Sequence, residues 1–334
     1  MSLLKAEQEE MMRAQASYLL NPTPKTVHWG YYQCDLRPVL TVNSGDIVTI
    51  EAVTSTPPED FEAAGIDPSL VPNAHREIWR EYDMNDRGPG SHLLTGPIFI
   101  EGAEPGDTLE VHIKEIKITA PIGFNRNKLG RGALPEDFPY YGIRILKLDL
   151  EKMTSEALPG VVVPLRPFFG NLGVAPTADQ GRISSGAPGI HGGNLDNKEL
   201  IPGTILYLPV HMKGALFSAG DGHAVQGDGE ANVSALETFV KGTFQFFVRK
   251  NKRLRWPRAE TPTHFMTMGL DEDLDIAAKM ALREMIDYLH EEKGMSVEYA
   301  YMMTSFIVDL HVTQVVNIVK GIHAMLPKSI FVKK

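Results

Sequence analysis

Apolar residues alternate with polar ones through much of this chain, and near residue 274 the alternation gives way to a three-to-four-residue spacing. That change constrains the fold more than any other feature, because a period of two lines one face of a strand whereas a period of 3.6 lines one stripe of a helix. Residues 39–42 and 47–51, joined through Asn43-Ser44-Gly45-Asp46, read as two β-rich runs about a glycine-containing turn. Residues 98–101 and 109–116 repeat the device across 102–107, and 205–210 and 243–248 are further strands. Two segments read as irregular: 54–86, with Pro57-Pro58, Pro68 and Pro72, and 170–195, dense in Gly, Ser and Pro. Long loops inside a compact chain are usually functional.

Beyond residue 270 the period is helical. Leu274, Ala277, Ala278, Ala281, Leu282, Met285 and Leu289 follow the spacing of one apolar helix face. Asp271, Glu272, Asp273 and Asp275 crowd its start, where negative charge suits the helix dipole, and Gly294 marks a stop. Ser296 caps a second helix through about Phe306, and the β-branched run 307–316 reads as a strand. Strands followed by helices and a further strand give an α+β chain that is predominantly β. The expected division is an N-terminal extension at 1–25, a mainly β core at 26–255 and an α+β region at 256–334 packing on that core.

Charge and cysteine narrow the setting. Asp and Glu outnumber Lys and Arg by 42 to 33, a net charge of -9, so no nucleic-acid partner is expected. The one basic run, Arg249-Lys250-Asn251-Lys252-Arg253, reads as a solvated turn at a strand end. Cys34 is the only cysteine, which excludes an intrachain disulfide and a Cys-rich zinc cluster. The first 20 residues carry Glu7, Glu9 and Glu10 where a signal peptide would be positive, and no run approaches 18 apolar residues. The expectation is a cytoplasmic protein with no membrane partner. No G-x-S-x-G elbow, dinucleotide fingerprint or P-loop is present.

Two glycine-rich segments gather groups that carry chemistry. Gly220-Asp221-Gly222-His223-Ala224-Val225-Gln226-Gly227-Asp228-Gly229-Glu230 places three carboxylates and an imidazole within ten residues. The intervening glycines let the backbone turn tightly enough for such side chains to converge. An Asp, a His and a further carboxylate are the nitrogen and oxygen ligands of a catalytic zinc site, although a hydrogen-bonded polar loop without metal has the same composition. Calcium suits the set less, since His is a poor calcium ligand. Gly189-Ile190-His191-Gly192-Gly193-Asn194-Leu195-Asp196 adds another His and another carboxylate, which either complete the shell or cap a turn. His92, after Gly88-Pro89-Gly90-Ser91, stands beside a turn and before a strand.

These blocks resemble the acetamidase/formamidase family. The resemblance is carried by Gly96-Pro97-Ile98-Phe99-Ile100-Glu101-Gly102-Ala103-Glu104-Pro105-Gly106-Asp107-Thr108-Leu109 and by Arg166-Pro167-Phe168-Phe169-Gly170-Asn171-Leu172-Gly173-Val174-Ala175-Pro176. It continues through His191-Gly192-Gly193-Asn194-Leu195-Asp196, Gly214-Ala215-Leu216-Phe217, the 221–230 stretch and Ala235-Leu236-Glu237-Thr238. It runs from about residue 28 to 327, with the Pro-rich N-terminal region as its least typical part.

The resemblance implies hydrolysis of formamide or acetamide to ammonia and the carboxylate. It also implies a jelly-roll-like β-sandwich core, a divalent metal that is most readily zinc, and a homo-oligomer. The matching positions are Asp196, Asp221, His223, Gln226 and Glu230, with Glu101 and Glu237 as outer candidates. On this basis Asp196, Asp221 and His223 are expected to hold the metal and Glu230 to move the proton, with Asp221 and Glu230 exchangeable in role. His191 or Gln226 would orient substrate or support a ligand. The rival expectation is a non-catalytic, cupin-like small-molecule-binding protein, since His223 and Glu230 echo a His-and-Glu metal motif. Hydrolysis of a larger or cyclic amide is a third.

Overall fold

The structure, a computed structural model, describes residues 15–332. The acidic N-terminal stretch and most of the expected 1–25 extension lie outside the described residues. What is described of that extension joins the sheet: Ser17–Leu20 pairs in parallel with Ile47–Ala52. The architecture is mostly β, with one large, largely antiparallel sheet and helices concentrated toward the C-terminus. Its main path runs Gly192–Asn194, Phe168–Gly173, Phe217–Val225, Leu236–Arg249, Thr108–Asn127 and Ile205–Pro209. It then continues through Arg258–Glu260, His264–Asp271, Lys320–Pro327 and Asp309–Gln314.

Two long strands organise this path. Thr108–Asn127 extends well past the 109–116 run that alternation marks, and Leu236–Arg249 starts seven residues before 243. Leu236–Arg249 gives one edge first to Phe217–Val225, at Leu236 and Glu237, and from Val240 onward to Ile47–Ala52. The ladder thereby branches at this strand, and the main apolar core packs against it. That core includes Val48, Ile50, Val111, Phe168, Phe169, Phe217, Phe244 and Phe246. Ile47–Ala52 shows the cause in miniature, since its residues alternate between half-buried and buried as the sequence alternates.

The segment 54–86 is not irregular. It holds the helices Pro58–Ala63 and Asn73–Glu81, which bury Phe61 and Ile78 against Trp29, Phe124 and Phe239 in a second apolar cluster. Proline is tolerated in the first turn, where its missing N–H has no helical acceptor to lose. The segment 170–195 is also partly strand: Phe168–Gly173 and Gly192–Asn194 sit inside the sheet. Phe168–Gly173 is buried at every position, so it has no alternation to read.

The C-terminal elements follow the expected order. Leu274–Lys293 is capped by Asp273, whose side chain accepts from the Asp275 and Ile276 amides, and it ends at Gly294 with φ 69°. Ser296 caps Val297–Ile307, and the next strand is Asp309–Gln314. Leu274–Lys293 lies on His264–Asp271 so closely that a Cβ on Gly269 would stand 1.9 Å from the Ala277 carbonyl oxygen. Burial of Met285 and Leu289 on that face contributes on the order of 2 kcal/mol each. Among the described residues no helix is long and apolar enough to cross a membrane.

Candidate active site

Several strand registers converge on one point. Phe168 stands opposite His223 and Phe169 opposite Gly222. His223 stands opposite Glu237, Asn171 opposite Asn194, and Gly220 opposite Leu94, two residues after His92. Opposed residues on neighbouring strands project from the same face, so His223 and Glu237 come side by side. His223 Nε2 lies 3.3 Å from Glu237 Oε1 and 3.4 Å from Asp221 Oδ2, and His92 Nε2 is 3.6 Å from the same Asp221 oxygen.

Asp196 enters from the loop after Gly192–Asn194. Its Oδ2 accepts from Asn194 Nδ2 at 2.5 Å and from Asn317 Nδ2 at 3.0 Å, while its buried Oδ1 has no partner. Glu230 is buried as well, and its Oε2 is equally unpartnered. Buried polar atoms without partners are costly and call for an explanation. Gly170 makes the convergence possible, because a Cβ there would lie 2.6 Å from Asp221 Oδ2, 2.7 Å from Asp196 Oδ1 and 2.9 Å from His223 Cε1.

Gln226 sets the tautomer of His223. Its side-chain Nε2 donates to the carbonyls of Asp196 (2.6 Å) and Thr313 (3.3 Å), which turns its Oε1 toward His223 Nδ1 at 3.0 Å. His223 Nδ1–H therefore donates to Gln226, and Nε2 faces Asp221 and Glu237. Burial works against charge on His223, yet Glu237 and Asp221 outweigh it and raise the imidazole well above its ordinary value. The surroundings favour positive charge at that Nε2, carried by a proton or a metal ion.

The acids divide in the same sense. Burial, with the neighbouring Glu230 and Asp221 charges, raises Asp196 well above the usual carboxylate range. Burial also pushes Glu230 up to about 7 and raises Glu237 well above its ordinary value. Asp221 goes the other way: burial opposes its charge, but His92 and His223 hold its carboxyl well below the usual range. Four carboxylates this close cannot all ionise without a cation. Asp196, Asp221 and His223 offer ligand atoms within 4.8 Å of one another, as do His223, Glu230 and Glu237. The donor set, the orphaned oxygens and the cleared space above Gly170 all fit a divalent ion.

A cavity of about 530 Å³ opens over this floor, lined by Asp196, Asp221, Glu230 and Glu237 together with His92, Asn194 and Asn317. His223 and Gln226 lie buried against these acids rather than on the cavity wall. The structure does not bring His191 to the cavity: its ring packs edge-on against Tyr32 with centroids 4.9 Å apart, and burial lowers its pKa to about 3. Glu101 is exposed at the turn after Leu93–Ile100. The sequence marks His92 only as a histidine beside a turn. It gives no local signal for Asn317, nor for Arg87, Arg126, Lys128 and Arg131, which also line the cavity.

The acetamidase/formamidase family model matches residues 22–183 and 178–333. The chain is similar to the formamidase of Methylophilus methylotrophus, 27% identical over 315 residues that span 72% of this chain and 77% of that one. It is 29% identical to the acetamidase of Mycolicibacterium smegmatis over 293 residues, 64% of this chain and 72% of that one. The crystal structure of an acetamidase from Bacillus halodurans shares the fold with a TM-score of 0.79 at 32% identity, covering 94% of this chain and 98% of that chain.

Proposed function

This chain belongs to the acetamidase/formamidase family, and from that premise we propose that it hydrolyses a short-chain linear amide with the help of a divalent ion held by Asp196, Asp221 and His223. The observation that carries the metal part of the reading is the meeting of His223 Nε2 with Asp221 and Glu237 beside the unpartnered Asp196 Oδ1. One imidazole and two carboxylates suit zinc, and the imidazole makes calcium the weaker choice.

Amide resonance makes the carbonyl carbon a poor electrophile and ammonia a poor leaving group until its nitrogen is protonated. When bound, the metal ion supplies Lewis acidity toward the carbonyl and the attacking water. The proton is the task of Glu230, a buried carboxyl with an unpartnered oxygen, whose burial favours holding a proton more than an exposed glutamate does. As the water oxygen bonds to the carbonyl carbon, Glu230 takes the water's proton. As the C–N bond breaks, Glu230 returns that proton to the nitrogen, so ammonia leaves and the carboxylic acid remains, which becomes the carboxylate by giving its last proton to solvent or ammonia.

Asp221, held ionised by two histidines, suits a ligand better than a proton carrier, which supports this division of roles. Gln226 is a positioning residue for His223, and Asn194 and Asn317 position Asp196. His191, packed behind on Tyr32, takes no part.

The same reading includes a homo-oligomer, for which the exposed Tyr301 (63%) and Phe306 (67%) on Val297–Ile307 are apolar surface suited to a subunit contact. It also includes cytoplasmic residence, in keeping with a single free cysteine, and the division at residues 25 and 255.

The test is ammonia release from formamide and acetamide by protein of measured metal content, before and after chelation. Metal-loaded protein that releases no ammonia from any short amide would end the enzymatic reading. Chelated protein that keeps its full rate would end the metal part alone.

A further inference from the structure

The cavity is far larger than the simplest amides require, and four cations line it that a neutral amide does not need. Acetamide has four heavy atoms and needs roughly 100 Å³ at the volume per heavy atom of liquid water. The cavity holds about 530 Å³. Arg87, Arg126, Lys128 and Arg131 all line it in a chain whose net charge is -9.

Among the described residues Arg87, Lys128 and Arg131 form no ion pair, and the nearest carboxylate to Arg126 is Asp60 at 3.9 Å. Arg126 is held in place by donating from Nη2 to Thr56 Oγ1 at 2.7 Å, and Arg87 lies 4.7 Å over the Trp29 ring. Burial, and then the charges of Arg126, Arg131 and Arg87, lower the Lys128 ammonium from its ordinary value, so the four cations crowd one another.

Strand register gives the backbone spacing from Arg126 to the acid floor, and the Arg126 guanidinium lies back over the Phe124 ring, 5.4 Å from its centroid. Phe124 stands opposite Glu237, and Arg126 is the next residue on the same face. Its Cα therefore lies about 7 Å further along the strand, and Lys128 follows just past the strand's end at Asn127. An extended chain of three or four methylenes reaches from an amide over the acid floor to that level.

Resting on the amidase reading above, we propose that the preferred substrate is an ω-amido acid, a primary amide whose far end carries a carboxylate received by Arg126, Lys128 and Arg131. The chemistry at the amide is unchanged. Water adds at the carbonyl carbon, the C–N bond breaks, ammonia leaves, and the new carboxylic acid gives its proton to solvent or ammonia, so the product is a dicarboxylate. Arginine supplies the planar fork that a carboxylate matches with two hydrogen bonds, and the half-buried lysine supplies a point charge.

The experiment compares kcat/KM for glutaramate with that for its neutral isostere 5-methylhexanamide, in the wild type and in the Lys128→Met/Arg131→Ser double variant. In parallel, glutarate binding is measured by calorimetry on metal-loaded protein. The expected result is an advantage of about ten- to hundredfold for glutaramate, the range for hydrogen bonds to charged groups. That advantage should shrink as ionic strength rises past about 0.1 M and collapse in the double variant, together with glutarate binding.

Equal rates on the two amides would overturn the proposal. So would a double variant that slows both amides alike, because the cations would then only balance the charge of the acid floor. Glutarate binding that depends on Lys128 and Arg131 without hydrolysis of any amide would uphold the anion site and sink the amidase reading instead.

Discussion

Gly170→Ala tests the geometry of the floor with a single methyl group. The added Cβ would stand 2.6 Å from Asp221 Oδ2 and 2.7 Å from Asp196 Oδ1, whereas ordinary contact begins at 3.4 Å. Asp221 must therefore yield about 0.8 Å and Asp196 about 0.7 Å, and His223, at 2.9 Å, about 0.5 Å. These are the three proposed metal ligands, and all three are displaced together. Misplacement of reacting groups by about 1 Å costs on the order of 100-fold in rate. Overpacking at one site costs about 1–3 kcal/mol of stability, which a chain of this size survives.

The expected variant is folded, depleted in metal, and slower in ammonia release by about two orders of magnitude. The control is Gly242→Ala, where the Cβ meets Phe169 at 2.5 Å and Phe244 at 2.7 Å, an equally tight clash with apolar side chains and not with the acids themselves. Metal content, thermal melts and ammonia release on both variants decide the matter. Wild-type metal content and rate in Gly170→Ala, or an equal loss of activity in Gly242→Ala for the same loss of stability, would refute a metal site built over Gly170.

Glu230→Gln should lower kcat by about 100- to 10,000-fold while zinc content, read by metal analysis, stays at the wild-type level. In the wild type kcat/KM should rise with pH as Glu230 loses its proton, and that limb should vanish in the variant. Gln226→Leu removes the acceptor that fixes His223 Nδ1, so metal affinity measured by chelator competition should fall about ten- to hundredfold. Chelated protein should be less stable at pH 8 than at pH 5. Burial raises Glu230 from 4.5 to about 7, so its contribution is fully present below pH 4.5 and is lost as pH rises through 7, a difference of about 3 kcal/mol. Denaturant melts of the chelated protein at the two pH values check the sign, and equal midpoints would contradict it.

The elements with a clean period were legible in the sequence. Ile47–Ala52 alternates because one face of its strand is solvated, and Leu274–Lys293 shows a helical stripe because one face lies on a sheet. Phe168–Gly173 was not legible, since burial on both faces removes alternation and its glycines carry no strand propensity. The helices at Pro58–Ala63 and Asn73–Glu81 were hidden by prolines and by N-caps without side-chain hydrogen bonds.

At the site, Asp196, Asp221, His223 and Glu230 stood out because glycines separate them. Glu237 stood lower because it belongs to a long strand and gains its meaning only from standing opposite His223. His92 and Asn317 lie 129 and 121 residues from the acids they approach, Asp221 and Asp196, and no local pattern reports a contact of that range.

The backbone explains why glycines and acids are interleaved here. Among the described residues only seven non-glycine residues have positive φ, and three of them are Asp196 (46°), Asp221 (61°) and Glu230 (39°). Each such conformation costs about 1–3 kcal/mol and persists only where its surroundings enforce it. Asp196 is enforced by the Asn194 and Asn317 amides on its side chain and by its own amide donating to the Gly170 carbonyl at 3.0 Å. Asp221 is enforced by sheet pairing on either side, at Gly220 and Gly222. Glu230 is enforced by the Gly229 amide and carbonyl bonding to Thr313 and Val315 at the C-terminal strand.

Glycine at 196, 221 or 230 would relieve the strain and remove a buried acid, so folding alone favours it. A chain that holds acids at all three positions spends stability in one place. A cation site with an adjacent proton carrier needs carboxylates there, whereas a hydrogen-bonded turn does not. On that argument the glycines of 220–230 are the yielding part of a segment whose rigid part is its acids.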